Sequence, residues 1–160
     1  MKLSAQEDYG LRCLLQLGRQ EEGASLTIAE LAAREGLSAP NVAKIMRVLR
    51  KGGFVRSTRG QAGGYTLARP VEAVSVGEVL AFLGGRFFDP SFCEKHSGSS
   101  VLCSNNSDCS IRPVLRHLQD VVDQVLGSLT LKSLLRSEQE MTAVWANPRA
   151  VPLPMTGRPS

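Results

Sequence analysis

Three cysteines, Cys93, Cys103 and Cys109, fall within the stretch CEKHSGSSVLCSNNSDC, with nine and then five residues between neighbours. Gly, Ser and Asn dominate between them, which permits tight bends and offers little apolar surface to bury. Loops of this length without regular structure are uncommon in compact chains unless they carry a function. Three thiols on such a loop can converge on one point, and a metal is the simplest object for them to hold. Zinc is one candidate, since three thiolates with one histidine or carboxylate make an acceptable tetrahedral set. A thiol switch, in which two of the cysteines form a disulfide on oxidation, is another. His96 lies in the same loop and reads more simply as an exposed histidine. Cys13 sits among leucines, where a buried thiol behaves as a small apolar residue, and it is left out of the site.

The elements that must position this loop are mostly helical. Ser4 opens a pattern with Leu11, Leu14, Leu15 and Leu17 on one side, ending near Gly18. Thr27 and Glu30 form a capping box for a second helix that runs to Glu35 and stops at Gly36. Ser38 caps a third, with Pro40 in its first turn and Val42, Ile45, Met46 and Leu49 as the apolar stripe to Lys51. Two helices joined at Gly36 make a helix-turn-helix whose second member is the recognition helix. Phe54 to Thr58 and Tyr65 to Leu67 then read as two strands around a Gly-rich tip, a wing with Arg59 at its end. Ser75 and Glu78 form a further capping box for a helix through Leu83. After the cysteines, Ile111, Val114, Leu115, Leu118, Val121, Val122, Val125 and Leu129 form one stripe on a long helix. A twofold partner helix is the expected cover for that stripe, and intrachain packing the plainer one. Thr130 to Met141 reads as a last helical segment.

The fold class expected is therefore mainly α: a winged helix-turn-helix domain over residues 1–86, a cysteine loop over 87–110, a dimerisation helix and C-terminal helix over 111–146, and a disordered Pro-rich tail over 147–160. Charge divides along the same line. Residues 1–70 carry 11 Lys or Arg against 6 Asp or Glu, net +5, whereas residues 71–160 carry 8 against 9, net −1. Lys44, Arg47, Arg50, Lys51, Arg56 and Arg59 fall within sixteen residues, the footprint of a phosphate-contacting surface. Ser38 and Asn41 stand in the first turn of the recognition helix; Asn41 is the best candidate for a base edge, with Lys44 and Arg47 reaching phosphate or base. At the wing, Arg59, Gly60, Gly63, Gly64 and Tyr65 complete the expected DNA-binding set, with an arginine suited to a narrow minor groove. No nucleophile–base pair, phosphate loop or metalloprotease motif occurs, so an enzyme is not expected. Glu7 and Asp8 stand where a signal peptide needs an apolar run, and no apolar stretch approaches a membrane span, which points to a cytoplasmic protein without membrane contact.

Taken together, MKLSAQEDYGLRCLL, the helix beginning at Ser38, the wing STRGQAGGYTL, the helix SVGEVL and the three-cysteine loop resemble the family of IscR, NsrR and RirA, bacterial winged-helix regulators that sense through an iron-sulfur cluster. The resemblance covers roughly residues 1–140. It implies a homodimer on palindromic double-stranded DNA, most often a repressor, with cluster state controlling affinity and with nitric oxide, redox state or iron as the signal. It also implies Cys93, Cys103 and Cys109 as cluster ligands, with Asp8 of the partner subunit as the fourth and Glu7 its nearest competitor; the plainer reading of Asp8 is a helix-start acid that pairs with Arg12 four residues on. The cluster would be 4Fe-4S ahead of 2Fe-2S. Where IscR-like members carry a histidine ligand this chain has Arg112. Two other functions fit the same residues: a winged-helix regulator with a zinc site or cysteine disulfide switch, and an electron-transfer or cluster-carrier protein whose winged domain is only a scaffold.

Overall fold

A computed structural model describes residues 3–21, 23–58, 63–89, 91–97, 103 and 105–146. Helix α1 (Ala5–Gly18) starts at Ser4, whose backbone N–H and hydroxyl both donate to Glu7 Oε2 at 2.8 Å. Helix α2 (Ile28–Glu35) opens with the Thr27–Glu30 box: Thr27 Oγ1 accepts from Glu30 N–H at 3.2 Å, and Thr27 N–H donates back to the carboxylate at 2.7 Å. Gly36 ends α2 at φ 64°, a left-handed turn that glycine adopts without steric cost, and this bend sets the angle to α3 (Ala39–Lys51).

Helices α1, α2 and α3 pack together around Leu14, Leu31, Val42, Met46 and Leu49, each fully buried. Burying each such side chain contributes about 1.5–3 kcal/mol relative to exposure. Cys13 lies in this core, and burial pushes its thiol up to about 11. The folded state then holds this proton above the pH at which the unfolded thiol, near 9.0, gives it up. Its contribution is therefore whole below pH 9 and lost as pH rises through about 11. Urea midpoints should fall across that window in the native chain and fall less in Cys13→Ala; parallel curves would contradict the assignment.

Strands β1 (Val55–Thr58) and β2 (Gly64–Leu67) pair antiparallel, with Val55 opposite Leu67 and Thr58 opposite Gly64. The first strand starts one residue later than the sequence pattern predicts. Phe54 is instead a core residue, its ring edge-on to Phe82 at 5.6 Å, while its carbonyl accepts from Ala68 N–H. A 3-10 turn (Val71–Ala73) leads to α4 (Val76–Gly84). Ser75 caps α4 by accepting from Glu78 N–H at 3.4 Å, but the expected reciprocal bond is replaced: the Glu78 carboxylate pairs with Arg69 at 3.0 and 3.1 Å.

The cysteine segment is not wholly irregular, because α5 (Phe92–Lys95) forms one turn there and carries Cys93. Helix α6 (Ile111–Gly127) stops short of Leu129. Val76 N–H donates to the Leu129 carbonyl and Leu131 N–H to the Val74 carbonyl, so backbone pairing with the start of α4 overrides the apolar periodicity. Leu131, in α7 (Leu131–Leu134), is buried in the same core as Leu14. The last segment is two helices rather than one. Ser137 restarts the chain as α8 (Glu138–Ala146), donating from N–H and hydroxyl to Glu140 at 2.7 and 2.9 Å. The tail expected over 147–160 lies outside the described residues. Among those described, no helix is long and apolar enough to cross a membrane.

Candidate functional site

Helix α3 is amphipathic in a way that separates core from contact surface. Val42, Ile45, Met46 and Leu49 are buried, whereas Lys44, Arg47 and Lys51 recur at spacings of three and four on the opposite, exposed side. Ser38 and Asn41 are exposed in and before its first turn, so the end of the helix nearest the turn presents small polar groups and its far end presents cations. Arg50 reaches across to the wing, its guanidinium donating to Ser57 Oγ at 3.4 Å. Arg56 is exposed on β1 opposite Thr66. Lys44, Arg47, Arg50 and Lys51 are thus four exposed cations on α3, whereas Arg56 borders a separate groove with Glu21 and Glu72; the sixth, Arg59, lies with Gly60 outside the described residues.

The base of the wing is built by backbone contacts. Tyr65 exchanges two hydrogen bonds with Leu26, at 2.8 and 3.0 Å, and its side chain packs against the core. Gly63 and Gly64 are half-buried rather than exposed at a tip. A Cβ on Gly64 would stand 2.7 Å from the Leu26 carbonyl oxygen, and that atom is backbone and cannot rotate away. These placements give Tyr65 and Gly64 a structural task in the wing, beside the nucleic-acid contact expected of them. Gly64→Ala should cost about 1–3 kcal/mol of stability by forcing the Leu26–Tyr65 bridge apart. An unchanged denaturation midpoint would show that this bridge is dispensable.

The three loop cysteines are free thiols, each half-buried. Cys93 lines a cleft of about 190 Å³ with Phe88, Glu94, Asn106, Arg112 and Arg116. Asn106 belongs to the turn between Cys103 and Cys109: its N–H donates to the Cys103 carbonyl, and its own carbonyl accepts from Arg112 at 3.0 Å. The cleft therefore sets Cys93 against the segment that carries the other two thiols. Among the described residues, no three His, Cys, Asp or Glu side chains stand together as a metal-holding group. The donors nonetheless suit a soft metal or an iron-sulfur group by type, and Arg112 and Arg116 supply positive charge that offsets several thiolates. Arg116 and Asn106 are the residues sequence reasoning missed; the cation four residues after Arg112, on the same helix face, was the available signal. His96 is engaged locally, stacked on Phe92 at 4.2 Å with its Nδ1 2.9 Å from the Phe92 carbonyl.

Asp8 is exposed near the start of α1 and pairs with Arg12 of its own chain at 3.4 Å. Arg12 is the centre of a longer connection. Its Nε donates to Glu35 Oε2 and its Nη2 to the Glu35 carbonyl, both at 2.6 Å, while Gln16 Nε2 donates to Glu35 Oε1 at 2.5 Å. Glu35 first, and Asp8 less strongly, favour the charged guanidinium and raise its pKa. Asp8 is thereby linked through one side chain to the last residue before the Gly36 bend.

Residues 3–137 match the family described as Rrf2, iron-dependent transcriptional regulators. The chain belongs to the Rrf2 family. It is 32% identical over 136 residues to protein rrf2 of Nitratidesulfovibrio vulgaris, covering 85% of this chain and 88% of that one. Among solved structures, the global cysteine regulator CymR of B. subtilis superposes with a TM-score of 0.67 at 27% identity, covering 84% of this chain and 96% of that one. IscR of T. potens gives 0.63 at 30% identity, covering 84% and 86%. This Rrf2 protein is accordingly a winged-helix, DNA-binding transcriptional regulator and not an enzyme. In winged-helix proteins generally, the second helix of the helix-turn-helix and the hairpin beside it form the surface that meets DNA. The electron-carrier reading, which needs that surface to be idle, is set aside.

Proposed function

We propose that this Rrf2 protein acts as a homodimeric repressor whose affinity for a palindromic double-stranded DNA site is set by an iron-sulfur cluster. Cys93, Cys103 and Cys109 of one protomer would hold the cluster, 4Fe-4S ahead of 2Fe-2S, with Asp8 of the partner subunit as the fourth ligand. The observation that carries this reading is the cleft in which Cys93 faces the Cys103–Cys109 turn at the foot of α6, with Arg112 and Arg116 in its wall. Thiolates are the usual ligands of such clusters, and a carboxylate is a weaker, exchangeable partner that leaves the site open to small reactants. When bound, the cluster supplies sensitivity to nitric oxide, redox state or iron. The chain's own residues supply the rest: α6 offers a seam for the second protomer, α3 reads DNA, and Arg12 ties Asp8 to the bend before α3.

Dimer formation is supported by the apolar surface that α6 leaves uncovered. Ile111, Val114 and Leu118 are 63%, 58% and 46% exposed, and beside them an apolar groove of about 490 Å³ runs between α4 and α6. Two recognition helices related by a twofold axis suit a palindromic site.

The DNA contact can be tested by salt titration. Arg47→Ala should weaken binding to a palindromic fragment across sequences and flatten the slope of log affinity against log salt by about 1 for each phosphate left without its cation. An unchanged slope would remove Arg47 from the phosphate surface. For the cysteine site, reconstitution with iron and sulfide without oxygen should give visible absorption. Uptake of zinc alone would favour the zinc regulator instead, and a disulfide formed on oxidation of metal-free protein the thiol switch.

A further inference from the structure

Gln119 is 5% exposed and is the one buried polar side chain among the described residues. Both ends of its amide are used. Oε1 accepts from Phe88 N–H at 2.9 Å, and Nε2 donates to Asp123 Oδ1 at 2.8 Å. The other oxygen of Asp123 pairs with Arg86. Residues 86–88, where the chain leaves α4 for the cysteine segment, are thus bonded to two positions one turn apart on α6. Phe88 is buried but stands apart from the main core; its ring packs on Phe92 at 5.3 Å, and Cys93 is the next residue. At the far end of the segment Arg112, also on α6, holds the Asn106 carbonyl.

We infer that Gln119 is a positioning residue: by holding Phe88, it fixes Cys93 to α6, so that the cysteine site and the apolar seam of that helix move as one body. A leucine at 119 would bury more apolar surface and need no partners, but it would leave Phe88 N–H without an acceptor. A buried donor without a partner is costly enough to shift a local opening equilibrium about 5–150-fold. The inference rests on the cysteine site proposed above, but its test does not require a cluster.

The test compares the native chain with Gln119→Met, which keeps length and removes the acceptor, and with Gln119→Glu made together with Asp123→Asn, which keeps an acceptor for Phe88 N–H and gives the second carboxylate oxygen an amide donor in place of the Asp123 carboxylate. Arg86→Ala, at an exposed position, loosens the same staple without touching the core. In cluster-free protein, two quantities are read: hydrogen exchange at the Phe88 amide, and the rate of Cys93 alkylation divided by that of Cys109 in the same molecule. Gln119→Met should lose Phe88 protection and change the alkylation ratio at least about fivefold. Arg86→Ala should shift the ratio in the same direction, and Gln119→Glu paired with Asp123→Asn should restore it. An alkylation ratio unmoved while Phe88 protection falls would make Gln119 structural only and overturn the inference; so would equal ratios in the Met and Glu variants. In reconstituted protein, Gln119→Met should speed loss of iron to a chelator about 10–100-fold. A native chain that takes up no iron and sulfide would sink the proposed cluster, while the alkylation ratio would still decide the role of Gln119.

Discussion

Cys103→Ala is expected to yield colourless protein under conditions in which the native chain, purified without oxygen, is brown, and to abolish any difference in DNA affinity between reconstituted and metal-free samples. The reason is ligand number. Four ligands normally hold such a cluster, and the proposed set has three thiols, Cys93 in the cleft and Cys103 and Cys109 on the segment facing it, with a carboxylate as the weakest partner. Removing a thiol leaves two soft ligands, too few to retain iron against solvent. Folding should be untouched, because Cys103 is half-exposed and its described contact is a backbone carbonyl accepting from Asn106. Iron and sulfide assays with far-ultraviolet circular dichroism separate the two effects. Full iron content in the variant would remove Cys103 from the site.

Leu118→Glu should convert a dimer into monomers and weaken binding to a palindromic fragment by at least about a hundredfold. Leu118 lies between Val114 and Val122 on the apolar stripe and is 46% exposed in the single chain. The protomer does not depend on it for its core. In a twofold dimer each interface would bury two carboxylates, and an uncompensated buried charge costs several kcal/mol. Sedimentation at micromolar concentration reads the assembly state, and thermal denaturation confirms that the protomer still folds. A variant that remains dimeric would move the interface away from this face of α6.

Local signals carried much of the architecture. The caps at Thr27 and Ser75, the bend at Gly36 and the apolar stripe of α3 are written within a few residues of one another, and each element formed where those signals placed it; Ser38 stands at the N-cap position of α3, but its side chain makes no capping bond. What local pattern missed was contact at long separation. Arg12 reads in sequence as the partner of Asp8, four residues away; its stronger bonds go to Glu35, twenty-three residues on. Glu78 reads as half of a capping box, yet Arg69 takes its carboxylate. The stripe from Ile111 to Leu129 reads as one seam. In the fold its far end turns away to pair with the start of α4, and its middle borders Gln119, whose amide oxygen accepts from Phe88 thirty-one residues back. The cysteines stand out in the sequence by type and spacing. The spacing of Arg112 and Arg116 puts them on one helix face, but that this face meets Cys93 was not legible, because it depends on how α5 and α6 meet.

The proposed control of DNA binding by a cluster is tested most directly by one paired measurement on one sample. Iron and sulfide content and visible absorption are recorded on protein purified without oxygen, and affinity for a palindromic fragment is then measured before and after the cluster is destroyed with nitric oxide. A coupling of about 1–3 kcal/mol would appear as an affinity change of roughly 5–150-fold that tracks the loss of absorption. Iron-loaded protein that binds DNA equally well before and after bleaching would contradict cluster control, and would leave a DNA-binding Rrf2 protein whose cysteine cleft serves another purpose.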